Sequence, residues 1–210
     1  MSIDEIMRMA PVIPVLVIDG SIDPVALAET LVEAGLPVIE VTLRTSSALA
    51  ALKAMAGVPG AVVGAGTVLN EAMLGQAIDA GSRFIVSPGL TEPLGKAAID
   101  SGVPFLPGIA NAGDIMRGLD LGLDRFKFFP AEAAGGLSAL KALAGPFGDI
   151  RFCPTGGIRE DSASIWLAHS SVLCVGGSWL VPAGDTDLAA IGERARRAAR
   201  LATSDQLARP

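Results

Sequence analysis

Short apolar runs recur along the chain at a regular beat. They read VIPVLVI (12–18), PVIEVTL (37–43), AVVGAG (61–66), FIVSPG (84–89), PFLPGI (104–109), RFKFFP (125–130), RFCPTGG (151–157) and VLCVGGS (172–178). Their starts lie 20 to 26 residues apart. Runs that are apolar almost throughout suit strands buried on both faces, as in a parallel sheet. The stretches between them carry helix punctuation. DPVALAETLVEAG places Asp23 as N-cap, Pro24 at the first helical position and Gly35 past the end, and the cap–helix–glycine order recurs from Asn70 to Gly81 and from Thr91 to Gly102. A long amphipathic helix is predicted from about Asp185, and a short one over about residues 1–10, covering the bottom of the strands.

Eight strand–helix units in 210 residues predict α/β architecture, a single (β/α)8 TIM barrel over 1–210 with a C-terminal tail from about 201 to 210. A doubly wound open sheet is the rival. It normally needs fewer strands, and no GxGxxG opens a helix after the first strand.

Composition narrows the function. Half of the residues are apolar and 18% are charged, which argues against disorder. The net charge of −6 argues against a nucleic-acid partner, and RARRAAR (194–200), spaced along a helix, reads as a solvated face. MSIDEIMRMA lacks the apolar core of a signal peptide, and no apolar run approaches the length of a membrane span. Cys153 and Cys174 lie inside apolar runs and read as free, packed thiols of a cytoplasmic protein with no membrane partner.

The polar residues collect where the predicted strands end. They lie in Thr42-Leu43-Arg44, Gly64-Ala65-Gly66-Thr67, Ser87-Pro88-Gly89, Pro107-Gly108, Lys127 with Pro130, Thr155-Gly156-Gly157 and Gly176-Gly177-Ser178. In a barrel of this kind the active site lies at that end. Lys53, Lys96 and Lys141 fall in helical patterns and read as solvated; Lys127 alone lies in a strand. Two readings stand open for it. Burial disfavours the ammonium and frees an amine to attack a carbonyl as a Schiff-base nucleophile. Alternatively the lysine is a structural partner of a carboxylate, or snorkels out.

Strand alternation puts Glu40, Thr42 and Arg44 of VIEVTLRT on one face. An inward Glu40 can meet Lys127 and move protons beside an iminium, while Arg44 can grip a carboxylate with two parallel hydrogen bonds. The alternative is a Glu40–Arg44 ion pair at the strand end. The PTGG and VGGS turns close the last two runs, where barrels often bind phosphate through backbone N–H groups. The chain has one histidine, too few for a zinc-dependent aldolase or hydrolase, so no such metal is expected, and none of these candidates calls for another cofactor. His169 reads as a surface residue near a helix end, Trp166 and Trp179 as helix-layer or subunit-contact packing, and Met7, Met9 and Met116 as gap-filling core residues.

The stretches IEVTLRT (39–45), VGAGTVLN (63–70), VSPGLTEP (86–93), PGI (107–109), FKFFPAE (126–132), AGPF (144–147), RFCPTGGI (151–158) and VLCVGGSWLVPA (172–183) together resemble the 2-keto-3-deoxy-6-phosphogluconate (KDPG) and 4-hydroxy-2-oxoglutarate (KHG) aldolase family. The resemblance runs from about Pro11 to Ala183 in the same order and spacing. It implies a class I aldolase of the Entner–Doudoroff pathway acting on a phosphorylated 2-keto acid, typically as a homotrimer. The family's Schiff-base lysine falls on Lys127, its proton-transfer glutamate on Glu40, and its carboxylate ligands on Arg44 and Thr67. Its pocket-lining proline falls on Pro88, its substrate-contacting threonine on Thr155, and its phosphate site on Gly156, Gly157 and Ser178. The same chemistry on the galactonate epimer, a sugar-phosphate epimerase-like barrel without a covalent step, and a non-catalytic binding barrel are the rivals.

Overall fold

The computed structural model describes residues 1–201; the greater part of the expected tail, from 202 onward, lies outside the described residues. Strands and helices alternate along the chain. The strands are β1 (Val12–Leu16), β2 (Val38–Thr42), β3 (Val62–Gly66), β4 (Ile85–Val86), β5 (Phe105–Leu106), β6 (Gly108–Ile109), β7 (Arg125–Phe128), β8 (Arg151–Pro154) and β9 (Val175–Gly177). The helices are α1 (Ile3–Arg8), α2 (Pro24–Glu33), α3 (Ala48–Met55), α4 (Glu71–Asp79), α5 (Glu92–Ser101), α6 (Ala112–Asp120), α7 (Gly136–Ala144), α8 (Glu160–Leu167) and α9 (Leu188–Ala199).

Each of the eight apolar runs forms a strand, with one difference. The fifth is two short strands, β5 and β6, on either side of Pro107, whose ring removes the backbone donor. All strand pairs are parallel. They form a six-stranded sheet, in the order β5-β4-β3-β2-β1-β9, and a three-stranded sheet, β6-β7-β8. Isolated parallel bridges, Phe152 with Val172 and Thr155 with Gly176, link the second sheet to the run that contains β9.

The helices begin and end as the punctuation predicts, although Thr91, the residue that opens α5, makes no side-chain cap. Asp23 accepts from the Val25 N–H and Asn70 from the Met73 N–H, and Gly35, Gly81 and Gly102 take up left-handed backbone. The last helix starts slightly later than expected, with Asp187 as its N-cap. Helix α1 buries Ile6 and Met7 against the interior side chains Ile13, Val38, Val62, Phe84, Leu106, Cys153, Leu173 and Cys174. Val38 and Val62 open their strands, so α1 covers the N-terminal ends. A larger apolar cluster fills the space between strands and helices.

Some expectations need correction. Met9 and Met116 are exposed, at 40% and 58%, and only Met7 of the three packs inside. The arginines of α9 are not merely solvated. Arg194 donates to the Leu180 carbonyl at 2.9 Å and pairs with Asp185, and Arg197 pairs with Glu160 on α8 at 2.6 Å. Among the described residues no helix is long and apolar enough to cross a membrane.

Candidate active site

Strand β7 answers why a lysine stands among phenylalanines. Alternation sends Phe126 and Phe128 to the helix side, where both are fully buried. A Cβ on Gly118 of α6 would lie 2.3 Å from the Phe126 ring, and Phe128 packs on Trp166 of α8 with centroids 6.4 Å apart. Lys127 is thereby turned to the other face. Its neighbours in register are Gly108 of β6 and Cys153 of β8.

Lys127 is only 6% exposed, and Glu40 only 3%. The ammonium donates to both oxygens of Glu40, at 2.9 Å to Oε1 and 3.2 Å to Oε2. A buried ion pair is tolerated where both charges are matched in this way. Glu40 fits because the neighbouring strand β3 ends in a glycine where its carboxylate lies: a Cβ on Gly66 would lie 2.2 Å from Oε1. The Lys127 Nζ also sits 5.5 Å from the centroid of the Phe129 ring, two residues on along the same face. The nucleophile and paired-lysine readings are therefore compatible: the lysine at rest is paired, and its partner is a group that can take a proton from it.

Arg44 does not continue the strand. β2 stops at Thr42, whose hydroxyl donates to the Leu16 carbonyl at 2.7 Å, and Arg44 follows in a turn. Instead of pairing with Glu40, Arg44 is exposed and its Nε donates to the Thr67 hydroxyl at 3.2 Å. Thr67 has φ +60°, a left-handed conformation costly for a β-branched residue. Such strain is characteristic of functional sites. Pro88 is half-buried, and its carbonyl oxygen would lie 2.2 Å from a Cβ on Gly108, so the SPG turn is packed directly on the strand beside Lys127.

Thr155 is 6% exposed. Gly176 makes room for it, since a Cβ there would lie 2.3 Å from the Thr155 hydroxyl oxygen. The bridge between these two residues sets the PTGG and GGS turns side by side. Gly156 and Gly157 have φ of +104° and +79°, backbone that favours glycine. Gly157 and Ser178 are exposed, each two residues beyond a bridge partner.

The remaining candidates are structural. Cys153 and Cys174 are free and buried; a hydrogen bond with Cys153, and then burial, push the Cys174 thiol well above its ordinary range. Buried thiols of that kind are inert. His169 follows α8 and is half-buried; its Nδ1 accepts from the Ser171 N–H at 3.2 Å, and burial lowers its pKa. The sequence reading missed three contributors: Phe129 over the ammonium, Gly66 as space for Glu40, and Glu132, which accepts from the Trp166 indole at 3.1 Å. Alternation along RFKFF could have placed Phe129 with Lys127; nothing local announces the other two.

Comparison with known proteins points the same way. The family model described as KDPG and KHG aldolase matches residues 3–194. The chain is 61% identical over 196 residues to the 2-dehydro-3-deoxy-phosphogluconate aldolase of Zymomonas mobilis, covering 93% of this chain and 94% of that one. A crystal structure of 2-keto-3-deoxy-6-phospho-gluconate aldolase from Zymomonas mobilis matches with a TM-score of 0.95 at 59% identity, covering 97% of this chain and 99% of that one. The KDPG aldolase of Legionella pneumophila, with pyruvate captured at low pH as a covalent carbinolamine intermediate, matches with a TM-score of 0.92 at 40% identity, covering 95% and 98%. The chain belongs to the KDPG and KHG aldolase family.

Proposed function

We propose that this protein is a class I aldolase. It cleaves 2-dehydro-3-deoxy-6-phospho-D-gluconate to pyruvate and D-glyceraldehyde 3-phosphate through a Schiff base on Lys127, with side activity on 4-hydroxy-2-oxoglutarate. The observation that carries the reading is the buried contact between the Lys127 ammonium and both oxygens of Glu40. It joins a buried nucleophile to its own buried acid–base group. The covalent carbinolamine named for the Legionella pneumophila relative supports the same chemistry.

The steps balance with these two residues alone. Lys127 passes a proton to Glu40, and the free amine attacks the C2 ketone. The proton leaves with the carbinolamine hydroxyl as water, giving an iminium and restoring the Glu40 carboxylate. Glu40 then takes the proton of the C4 hydroxyl, the C3–C4 bond breaks, and its electron pair flows into the iminium to give an enamine. The phosphorylated aldehyde departs. Glu40 returns the proton to C3, and hydrolysis frees pyruvate and Lys127. Arg44 and Thr67 hold the substrate carboxylate, Pro88 lines the pocket, and Thr155 contacts the substrate. Gly156, Gly157 and Ser178 bind the distant phosphate through backbone N–H groups and the serine hydroxyl. The scheme needs no metal or other cofactor.

The architecture belongs to the same reading: one domain whose two sheets close into a (β/α)8 barrel. Three observations support closure. β5 and β6 follow one another across Pro107, the Lys127 N–H donates to the Pro107 carbonyl at 2.8 Å, and bridges join β8 to the run of β9. A cytoplasmic homotrimer is the expected working form, its mass in solution the check.

Turnover tests the proposal. The parent should release pyruvate from the phosphogluconate substrate faster than from its galactonate epimer or from 4-hydroxy-2-oxoglutarate. Lys127→Arg should lose essentially all of it, because a guanidinium cannot form the imine. Substantial turnover by Lys127→Arg would sink the covalent mechanism and favour an epimerase-like barrel.

A further inference from the structure

The proposed phosphate loop does not stand alone; it rests on the segment that follows the lysine strand. The Glu132 N–H donates to the Gly156 carbonyl at 3.1 Å, and the Ala131 N–H to the Thr155 carbonyl at 2.8 Å. A Cβ on Gly157 would lie 2.7 Å from Cβ and 2.8 Å from Cγ of Glu132, so the loop sits directly on that side chain. The far end of the side chain is fixed too: Glu132 Oε1 accepts from the Trp166 Nε1–H at 3.1 Å. Trp166 is only 2% exposed, and it packs on Phe128, the neighbour of Lys127.

We infer that Glu132 and Trp166 are positioning residues that set the height and orientation of the Gly156–Gly157 loop for the substrate phosphate. They tie that loop to the strand that carries Lys127. The inference rests on the phosphate site proposed above. A carboxylate beside an anion site opposes binding by its charge. The useful contribution of Glu132 is therefore geometric: its methylene groups support Gly157, and its oxygen keeps the indole donor satisfied. The neutral isostere should preserve both and remove the repulsion.

Steady-state kinetics of Glu132→Ala, Glu132→Gln and Trp166→Phe separate this role from a merely structural one. Each variant is assayed on the phosphorylated substrate and on 4-hydroxy-2-oxoglutarate, with inorganic phosphate as competitive inhibitor and a melting curve as a check of folding. Glu132→Ala should raise KM for the phosphorylated substrate and the inhibition constant of phosphate by about five- to tenfold, the size of one lost hydrogen bond with its packing. Its kcat, and its kinetics on 4-hydroxy-2-oxoglutarate, should stay near those of the parent. Glu132→Gln should restore the parent KM or lower it. Trp166→Phe should shift KM in the same direction as Glu132→Ala, and it decides the matter if Glu132→Ala does not fold. Equal losses on both substrates, a Gln variant as impaired as the Ala variant, or no effect of Glu132→Ala would overturn the inference. Ser178→Asp serves as the control on the site itself. If it weakens both substrates equally, the phosphate assignment fails. If it discriminates between them and Glu132→Ala does not, only the positioning role falls.

Discussion

The two ends of the strands are built from the same backbone and have opposite contents. At the N-terminal end, Ile13, Val38, Val62, Phe84, Leu106 and Leu173 meet Ile6 and Met7 of α1 in a buried, uncharged layer. At the other end stand a buried ion pair, a strained threonine, a buried hydroxyl and two glycine turns. Glycine serves both ends differently. Gly64 leaves space for the Phe84 ring, which a Cβ would approach to 2.5 Å, whereas two residues on Gly66 leaves space for the Glu40 carboxylate. One strand thus supplies room for packing at its middle and room for chemistry at its end. Stability and catalysis should consequently be separable by mutation.

The largest effect should come from breaking the pair at the polar end. Lys127→Met should remove turnover and also leave the Glu40 carboxylate buried without a partner, a loss of about 3 kcal/mol or more in denaturant unfolding. The double change Lys127→Met with Glu40→Leu should recover most of that stability and no activity. Next comes Gly66→Ala. Its methyl group would displace Glu40, and turnover should fall by about a hundredfold, as expected for misplacement of about 1 Å. At the apolar end the response should be the reverse. Met7→Ala should cost about 2 kcal/mol or more, read as a lower melting temperature, with kcat unchanged. A fall in kcat as large as that of Gly66→Ala would erase the distinction between the ends.

The smallest effect concerns pH. Burial alone would raise the Asp4 pKa, but hydrogen bonds from Arg8 and Arg125 outweigh it and hold the carboxyl below its ordinary value. A lowered folded-state pKa stabilises above the unfolded carboxylate value of about 3.9 and is lost as pH falls through the folded one. The half-exposed setting limits this to about 1 kcal/mol or less. The protection of α1 amides against exchange, taken relative to their intrinsic rates, should therefore fall in acid, and Asp4→Asn should reproduce the change at neutral pH. An acid response unaltered by Asp4→Asn would place its origin elsewhere.

What could be read from the sequence was whatever is local. The Asp23-Pro24 start, the Gly35 stop and the alternation that frees Lys127 from Phe126 and Phe128 are set by neighbours within a few residues. The pairing of Lys127 with Glu40 spans 87 positions, and the strand pattern could only permit it. The seating of Gly157 on Glu132, the indole bond from Trp166 and the left-handed Thr67 depend on loops meeting in space, which no periodicity encodes. The exposure of Met9, the cap that ends α1, and of Met116 on α6 was not legible, because apolar character says nothing about which side faces solvent. The resemblance to a known family supplied roles for residues whose own chemistry left them ambiguous, Thr155 and Pro88 above all.

The central claim is that the lysine paired with Glu40 is the group that becomes covalently attached to substrate. Borohydride trapping tests it most directly. The protein is incubated with pyruvate, reduced, digested and mapped by mass spectrometry. The account predicts one stable adduct, on Lys127, absent from Lys127→Arg. A folded protein that yields no adduct with pyruvate in excess, or carries it on Lys53, Lys96 or Lys141, would contradict it.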